Sequence, residues 1–445
     1  MKTKFLILSL LSMQFLFAQE ITGSWSGELN VQGMSLPLII HIKKDVNGFS
    51  STMDSPKQGA TNIPLGTTTF VDNQLAINAP ALGLSYSGKF NADTFEGTFK
   101  QGGMELPMTL SRQSEAIKTV NRPQTPKGPF DYEIEEVSFT NTIDKNTLAG
   151  TLTTPKNFNK KAPILIMITG SGNQNRDEEL FDHKPFAVIA DNFAKKGIAT
   201  LRIDDRGIGG SSKGTSTDTS ANFATDIDAA VLFIKNKGFT NIGLIGHSEG
   251  GMIAPMVATN SKNVRFLVLM AAPATPIDEL LVEQNYLAGK LAGMSEEKLL
   301  ENKKINKNIY SFIMKYTGSD YEKDLRSFLE KEGQLVDEAV LSQMKNPWLL
   351  YFLKFNPDTY LSKVTIPVLA INGSLDFQVP ATTNLAAIKN SLTKAKNKNF
   401  ETFEFKGMNH LFQECKTGAF TEYEQIKQTV SPQVLDKMSS WILKL

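Results

Sequence analysis

The chain has 445 residues, with 47 lysine and arginine side chains against 46 aspartates and glutamates, so its formal net charge is +1 at pH 7. This balance excludes the large basic excess of a typical nucleic-acid-binding protein. Hydrophobic residues make up 41% and charged residues 21% of the chain, which excludes wholesale disorder and a membrane-embedded helical bundle. At about 150 residues per domain, the length predicts two or three domains.

Residues 1–18 have the pattern of a secretory signal peptide. Lys2 and Lys4 form a positive start, an apolar stretch of 13 residues follows at 5–17, and Ala18 is a small residue suited to cleavage. The stretch is too short for a spanning helix, which needs roughly 20 apolar residues. We therefore expect a protein that is exported to the periplasm or the medium and has no membrane span.

Residues 19–113 predict an all-β module. Short alternating runs of polar and apolar residues are separated by turn dipeptides such as those at 47–48 and 72–73, a pattern typical of small barrels and sandwiches. No cluster of titratable residues stands out in this part of the sequence. We interpret it as a structural or docking module, and the alternative is a barrel that holds a ligand.

Residues 114–130 predict a semi-rigid linker, because they contain three prolines and little apolar periodicity. Domain boundaries fall where few contacts cross. A protein truncated near Gln124 is therefore expected to fold without the β-module.

Residues 131–445 alternate between strand-like and helix-like segments. The later strand-like runs are continuously apolar, as strands buried on both faces require. This alternation predicts an α/β fold in which helices flank a mostly parallel sheet. The interval 275–362 contains helix-like sequence only, which predicts a helical insertion.

The pattern G-x-S-x-G occurs at two places. At 246–250 it directly follows a strand-like run and opens a helix-like segment, which is the strand-turn-helix context of a nucleophile elbow. At 210–214 it lies in a polar, glycine-rich stretch with no strand immediately before it. The context therefore predicts Ser248, and not Ser212, as a nucleophile.

A serine nucleophile needs a histidine base, and the base needs an acid that orients it. Of the four histidines, only His410 lies in a loop after a late strand-like run. Asp376 lies just after the preceding strand-like run, and the chain order Ser248, Asp376, His410 is that of an α/β-hydrolase. Asp358 is the next candidate for the acid.

The negative charge that develops on the substrate needs two backbone donors. One is the N–H of Glu249, the residue after the nucleophile, and the other comes from the loop at 169–172. In that loop Ser171 is the first candidate and Gly172 is the alternative.

Disulfide and metal chemistry are not expected. Cys415 is the single cysteine of the sequence, so no intrachain disulfide can form. No His-x-x-x-His or Cys-x-x-Cys spacing occurs either, so no metal site is predicted.

Five motifs together resemble those of secreted α/β-hydrolase serine esterases, which are related to prolyl-oligopeptidase and serine-aminopeptidase groups. The motifs are Thr169-Gly170-Ser171-Gly172 continuing to 176–178, Asp204-Asp205-Arg206-Gly207, the 246–250 pattern, Gly373-Ser374-Leu375-Asp376 and Asn409-His410. The resemblance covers about residues 131–445, and some such esterases also carry an N-terminal β-module. It implies a helical cap at 275–362 over the pocket, cleavage of short- to medium-chain carboxylic esters through an acyl-enzyme, and no cofactor.

Two other functions compete with this interpretation. One is a peptidase on the same fold, in which Glu279 and Glu283 would bind a free amino terminus. The other is a carbohydrate- or surface-binding protein in which the β-module carries the function. The intact order of serine, aspartate and histidine argues against this second alternative. We expect the enzyme to bind a small ester as its substrate, and we expect no nucleic-acid partner.

Overall fold

The computed structural model describes residues 21–31, 34–46, 48–58, 60–91, 93–101, 104–112, 122–334, 336 and 338–445. The predicted signal peptide and the first part of the predicted linker lie outside these described residues. The described chain forms an N-terminal β-barrel followed by an α/β domain.

The barrel is built from antiparallel strands joined mostly by tight turns. Its strands are β1 (Gly23–Val31), β2 (Met34–Asp45), β3 (Gly48–Ser55), β4 (Ala60–Pro64), β5 (Thr67–Val71), β6 (Gln74–Ala79), β7 (Leu84–Asn91), β8 (Thr94–Gln101) and β9 (Met104–Arg112). They follow the order β2-β1-β9-β8-β7-β6-β5-β3, and pairing of β2 with β3 closes the ring, with β4 paired to β3. The prediction of a small all-β module is therefore confirmed as a closed barrel.

The interior of the barrel is filled by side chains. Trp25 and Phe95 are fully buried and their rings lie 4.7 Å apart, while the buried Tyr86 hydroxyl hydrogen-bonds to the carbonyl oxygen of Phe95 at 3.0 Å. Such filling is typical of small barrels, whose alternating strand positions face inward. The packed interior argues against a ligand held inside the barrel, and the structural or docking role of the module stays a prediction.

The outer face of the barrel carries one pair of titratable residues, His41 and Asp54, which is bonded to the hydroxyl of Ser24. Ser24 Oγ lies 2.8 Å from His41 Nδ1, and His41 Nε2 lies 2.9 Å from Asp54 Oδ2. The three residues lie on β1, β2 and β3, where side chains of neighbouring strands meet on one face of the sheet. These bonds link three strands of the barrel wall.

The α/β domain contains eight strands and twelve helices in its described residues. They are β10 (Tyr132–Thr140), β11 (Thr147–Pro155), β12 (Pro163–Ile168), α1 (Pro185–Lys195), β13 (Ala199–Ile203), α2 (Ser220–Asn236), β14 (Asn241–His247), α3 (Glu249–Asn260), β15 (Val264–Met270), α4 (Ile277–Leu291), α5 (Glu296–Lys315), α6 (Tyr321–Lys331), α7 (Glu338–Met344), α8 (Pro347–Leu353), α9 (Asp358–Leu361), β16 (Val368–Gly373), α10 (Ala381–Lys394), β17 (Phe400–Phe405), α11 (Phe420–Tyr423) and α12 (Pro432–Ile442).

The sheet has the order β10-β11-β13-β12-β14-β15-β16-β17. Only the β10–β11 and β11–β13 pairs are antiparallel, and the pairs from β13 to β17 are parallel. Successive residues of β12 point to opposite faces, so that Ile166 joins a core with Val231 of α2, and Leu165 joins a second core with Ile189 of α1. The predicted mostly parallel sheet with helices on both faces is confirmed.

Helices α4 to α9 lie between β15 and β16, where the sequence predicts a helical insertion. They pack around an apolar cluster of their own, which includes Ile309, Leu325, Leu341 and Leu353. We call helices α4 to α9 the cap.

The second half of the predicted linker is bound to the α/β domain. Arg122 is only 2% exposed and donates to the carbonyl oxygens of Phe181 at 2.6 Å and of Glu424 at 2.9 Å. Gln124 donates from its side chain to the carbonyl oxygen of Val430 at 2.8 Å. A truncated protein that begins near Gln124 would lose the Arg122 contacts, so we expect it to be less stable than one that keeps Arg122.

Buried His183 is expected to weaken the fold in acid. Its Nδ1 lies 2.9 Å from Thr429 Oγ1 and its Nε2 lies 3.0 Å from the carbonyl oxygen of Tyr423. Burial, together with the charge of nearby Arg122, lowers the pKa of His183 to about 4. An unfolded chain, in which histidine titrates near ~6.5, then binds a proton that the folded chain excludes. The free energy of unfolding should therefore fall as the pH falls from about 6.5 to about 4.

His183→Gln separates this effect from other acid-sensitive groups, because a glutamine amide can still donate to Tyr423 and accept from Thr429. Urea unfolding at several pH values should show that the variant loses less stability than the wild type between pH 6.5 and 4.5. The slopes of the free energy of unfolding against pH should differ between the two proteins by at most about 1.4 kcal/mol per pH unit, the value for one proton. Equal slopes would contradict the assignment.

Candidate active site

Ser248 lies at a sharp turn between β14 and α3. Its backbone has φ of 53° and ψ of −120°, a strained conformation for a residue other than glycine. The flanking glycines permit this turn, because a Cβ at Gly246 would lie 2.1 Å from the carbonyl oxygen of Gly250, and a Cβ at Gly250 would lie 2.2 Å from that of Ile168. The structure therefore has the strand-turn-helix geometry of a nucleophile elbow at the predicted position.

His410 and Asp376 form a hydrogen-bonded pair in the loops after β17 and β16. His410 Nδ1 lies 2.7 Å from Asp376 Oδ2, and the aspartate side chain is completely buried. Asp376 Oδ1 accepts the backbone N–H groups of Gln378 and Val379, each at 2.9 Å. The carboxylate is thus fixed by the backbone and in turn fixes the orientation of the imidazole.

The other acid considered, Asp358, lies elsewhere. It belongs to α9 and accepts hydrogen bonds from Ser391 Oγ at 2.5 Å and from Lys394 Nζ at 3.0 Å. These bonds, chiefly that of Ser391, hold the pKa of Asp358 below its usual value. The structure pairs His410 with Asp376.

His247, inside the elbow, connects the candidate site residues. Its Nδ1 lies 2.9 Å from Glu178 Oε1, and its Nε2 lies 3.0 Å from the carbonyl oxygen of His410. Burial alone would lower the pKa of His247, but the charge and hydrogen bond of Glu178 outweigh it and raise this pKa. Glu178 Oε1 also accepts the N–H of Gly170 at 2.7 Å. One histidine therefore ties the elbow, the loop after β12 and the loop of His410 together.

The loop after β12 is held by a second carboxylate, that of Asp205. Thr169 Oγ1 and the N–H of Gln174 each donate to it at 2.9 Å, and so fix both ends of the loop. Burial raises the pKa of Asp205 to about 8, and the carboxylates of Glu249 and Glu178 add to the increase.

The predicted backbone donors lie in the loop after β12 and at the start of α3. In the described part of the chain, the N–H groups of Ser171 and Gly172 make no backbone hydrogen bond of the turn or loop type. The N–H of Glu249 belongs to the first residue of α3, and the first N–H groups of a helix have no acceptor within the helix. These donors lie at the carboxyl-terminal edge of the sheet, where parallel α/β sheets bind their ligands.

The cap contacts the elbow through Trp348. This residue of α8 donates its Nε1–H to Glu249 Oε1 at 2.9 Å, and Ser220 Oγ donates to the same oxygen at 2.6 Å. Glu249 is only 2% exposed, so its carboxylate depends on these donors. Neither the Trp348 contact nor the Glu178–His247 contact was predicted, because each joins residues that are far apart in the sequence.

The described residues contain neither a candidate metal site nor a candidate membrane-spanning helix. No group of three or more His, Cys, Asp or Glu residues there is placed to hold a metal ion. No helix there has the length and apolar character that crossing a bilayer requires.

The strand order, the elbow after β14 and the aspartate–histidine pair after β16 and β17 together point to one fold family. Residues 163–414 match the family described as alpha/beta hydrolase fold. This chain belongs to the α/β-hydrolase family. The predicted α/β-hydrolase fold is thereby confirmed, and the barrel of β1 to β9 confirms the predicted N-terminal β-module.

This α/β-hydrolase is similar to an esterase, EstD of Thermotoga maritima, with 27% identity over 356 residues that cover 78% of each chain. Among solved structures it is similar to Est1E of Butyrivibrio proteoclasticus with ferulic acid bound (19% identity, 69% of this chain and 98% of that one, TM-score 0.42). Another similar structure is the proline iminopeptidase of Mycobacterium smegmatis (15% identity, 70% and 98%, TM-score 0.44). The EstD relationship agrees with the predicted enzyme class, a carboxylic ester hydrolase.

Proposed function

We propose that this α/β-hydrolase is a serine esterase that cleaves carboxylic esters of short to medium acyl chains through an acyl-enzyme. Ser248 is the nucleophile, His410 is the general base and acid, and Asp376 orients the imidazole. The observation that carries the proposal is the 2.7 Å contact between His410 and the buried Asp376, next to the elbow that presents Ser248.

In the acylation step, Ser248 Oγ attacks the ester carbonyl carbon while His410 Nε2 takes the hydroxyl proton. Asp376 accepts the Nδ1–H and so keeps Nε2 free to act as the base. The carbonyl oxygen becomes an oxyanion that the N–H groups of Glu249 and Ser171 stabilise, with Gly172 as the alternative to Ser171. When the tetrahedral intermediate collapses, His410 gives its proton to the departing alkoxide.

In the deacylation step, water attacks the acyl-enzyme by the same route. His410 takes a proton from the water and returns it to Ser248 Oγ as the carboxylic acid leaves. Ser248 is thereby regenerated, and the chemistry uses no cofactor.

The charges around the site fit an anionic transition state. The N-terminus of α3 points its positive dipole end towards the elbow, and His247 offsets the charge of Glu178. Burial raises the pKa of Asp205, which disfavours negative charge on this carboxyl.

The acidic residues considered for a peptidase do not favour that function. Glu283 Oε2 accepts a salt bridge from Lys303 Nζ at 2.7 Å, so its charge is already matched. Glu279 is exposed on α4. We therefore infer an esterase and not a peptidase.

We also propose that the mature enzyme is exported, on the basis of the signal-peptide pattern at 1–18. The protein recovered from the periplasm or the medium of expressing cells should begin after Ala18. Full-length protein confined to the cytoplasm would contradict this proposal.

Labelling and a substrate panel test the esterase proposal. A fluorophosphonate should label the wild-type enzyme once, at Ser248, as mass spectrometry of its peptides would show. Nitrophenyl acetate and butyrate should be hydrolysed, whereas aminoacyl anilides should not. Absence of labelling would contradict a serine mechanism, and faster cleavage of the anilides would identify a peptidase.

A further inference from the structure

Two short 3-10 helices lie at the same end of the barrel. Residues Pro56–Gln58 follow β3 and residues Pro80–Leu82 follow β6. Since β3 and β6 are each antiparallel to β5, they run in the same direction and end at the same rim. We call these two segments the barrel rim.

One side of the barrel rim contacts the cap. Ser342 of α7 donates its hydroxyl to the carbonyl oxygen of Pro80 at 2.7 Å. Helix α8 begins three residues after α7 ends and carries Trp348, which is bonded to Glu249 beside the nucleophile. The rim thus holds the part of the cap that lies on the elbow.

The other side of the barrel rim contacts the loops of the α/β domain. The N–H of Phe181 donates to the carbonyl oxygen of Lys57, and the Lys57 ammonium group forms a salt bridge with Glu424. The Phe181 side chain packs in a cluster with Leu411, the residue after His410. The rim is therefore attached to the wall of the site that carries the catalytic histidine.

We propose that the barrel rim is a strap between the cap and the His410 wall, and that it limits the cleft to esters of short to medium acyl chains. The inference rests on the proposed esterase function. The cap shares apolar core with the α/β domain through Phe352 and Leu361, so the opening that we consider is local: α7 and the start of α8 move away from the elbow, and both the Ser342–Pro80 bond and the Trp348–Glu249 bond break. On this proposal a long acyl chain needs that opening, whereas an acetyl group does not.

Ser342→Ala in the full-length protein loosens the strap without adding bulk. The ratio of kcat/KM for nitrophenyl dodecanoate to that for nitrophenyl acetate should rise about fivefold, the factor expected from the loss of one hydrogen bond. Ser342→Thr keeps the hydroxyl and should restore the wild-type ratio. Ser327→Ala, at an exposed position of α6, is the matched control and should leave the ratio unchanged.

A cross-link between the barrel rim and α7 tests the effect of fixing the contact instead of removing it. Pro80→Cys and Ser342→Cys are combined in a Cys415→Ser background and joined by a short, reducible bis-thiosulfonate reagent. The dodecanoate rate should fall and return on reduction, while the acetate rate stays constant. A constant dodecanoate rate, or a ratio that falls in Ser342→Ala, would overturn the proposal, and the second result would indicate that the barrel binds long substrates.

Hydrogen exchange separates failure of the strap from failure of the esterase assignment. Exchange across 338–353 needs no ester chemistry, and it should be faster in Ser342→Ala than in the wild type, Ser342→Thr or Ser327→Ala. Unchanged exchange would overturn the strap. Faster exchange in an enzyme that cleaves no ester would support the contact and contradict the esterase function.

Discussion

Ser248→Ala is expected to reduce kcat for nitrophenyl acetate by about six orders of magnitude, as removal of the serine from a catalytic triad does. Without the hydroxyl no acyl-enzyme forms, although the His410–Asp376 pair and the backbone donors stay in place. Alanine would have to adopt the same strained backbone at φ 53° that Ser248 adopts. The strain is therefore the same in both proteins, and the melting temperature should change little. Stopped-flow rates and thermal melts of the purified variant measure both outcomes.

Ser212→Ala is the matched control, because Ser212 lies in the second G-x-S-x-G pattern of the same chain. Its hydroxyl accepts from the N–H of Thr147 at 2.8 Å and donates to the carbonyl oxygen of Thr147 at 3.2 Å. This variant should keep its activity and lose only a little stability. Retained fluorophosphonate labelling in Ser248→Ala, or its loss in Ser212→Ala, would reverse the assignment of the nucleophile.

Ser248 and Ser212 show what sequence context can predict. Both match the same pattern, but only 246–250 follows an apolar run that becomes the buried strand β14. The flanking glycines are required by backbone contacts near 2 Å, and a pattern of small residues reports such contacts directly. The positions of Asp376 and His410 could be predicted for a similar reason, since parallel strands end at one edge of the sheet.

Contacts between distant segments could not be predicted in the same way. His247 and Glu178 are 69 residues apart, and Trp348 and Glu249 are 99 residues apart. Each pair depends on how loops and the cap fold back onto the sheet, which no local pattern encodes. The order of the strands in the sheet could not be predicted either. Strand β13 lies between β11 and β12, although it follows β12 in the sequence.

Contacts between strands of the barrel could not be predicted from the sequence either. Alternating residues identified its strands, since one face of each strand is buried. The group of Ser24, His41 and Asp54 was missed because it depends on which strands are neighbours and in which register. Ser24 lies directly opposite His41 in the β1–β2 pair, and this register is a property of the closed barrel.

Asp376→Asn is expected to lower kcat by about four orders of magnitude, as the same change does in the serine protease triad. The structure gives the reason for this loss. Asp376 Oδ1 accepts two backbone N–H groups, of Gln378 and Val379, while Oδ2 faces His410 Nδ1. An asparagine would keep its oxygen on the backbone donors and turn its NH₂ group towards His410. The amide would then donate to Nδ1 and place the imidazole proton on Nε2, where it blocks removal of the Ser248 proton.

Asp358→Asn is the control for this change, because Asp358 is the other aspartate considered and is bonded to Ser391 and Lys394 instead of a histidine. Its kcat for nitrophenyl acetate should stay close to that of the wild type. Fluorophosphonate labelling of Asp376→Asn should slow in parallel with turnover, since both need an activated Ser248. In addition, ¹⁵N spectra of the variant should show the His410 proton on Nε2 and not on Nδ1. A variant with near-normal turnover, or with the Nδ1 tautomer retained, would mean that another group orients His410.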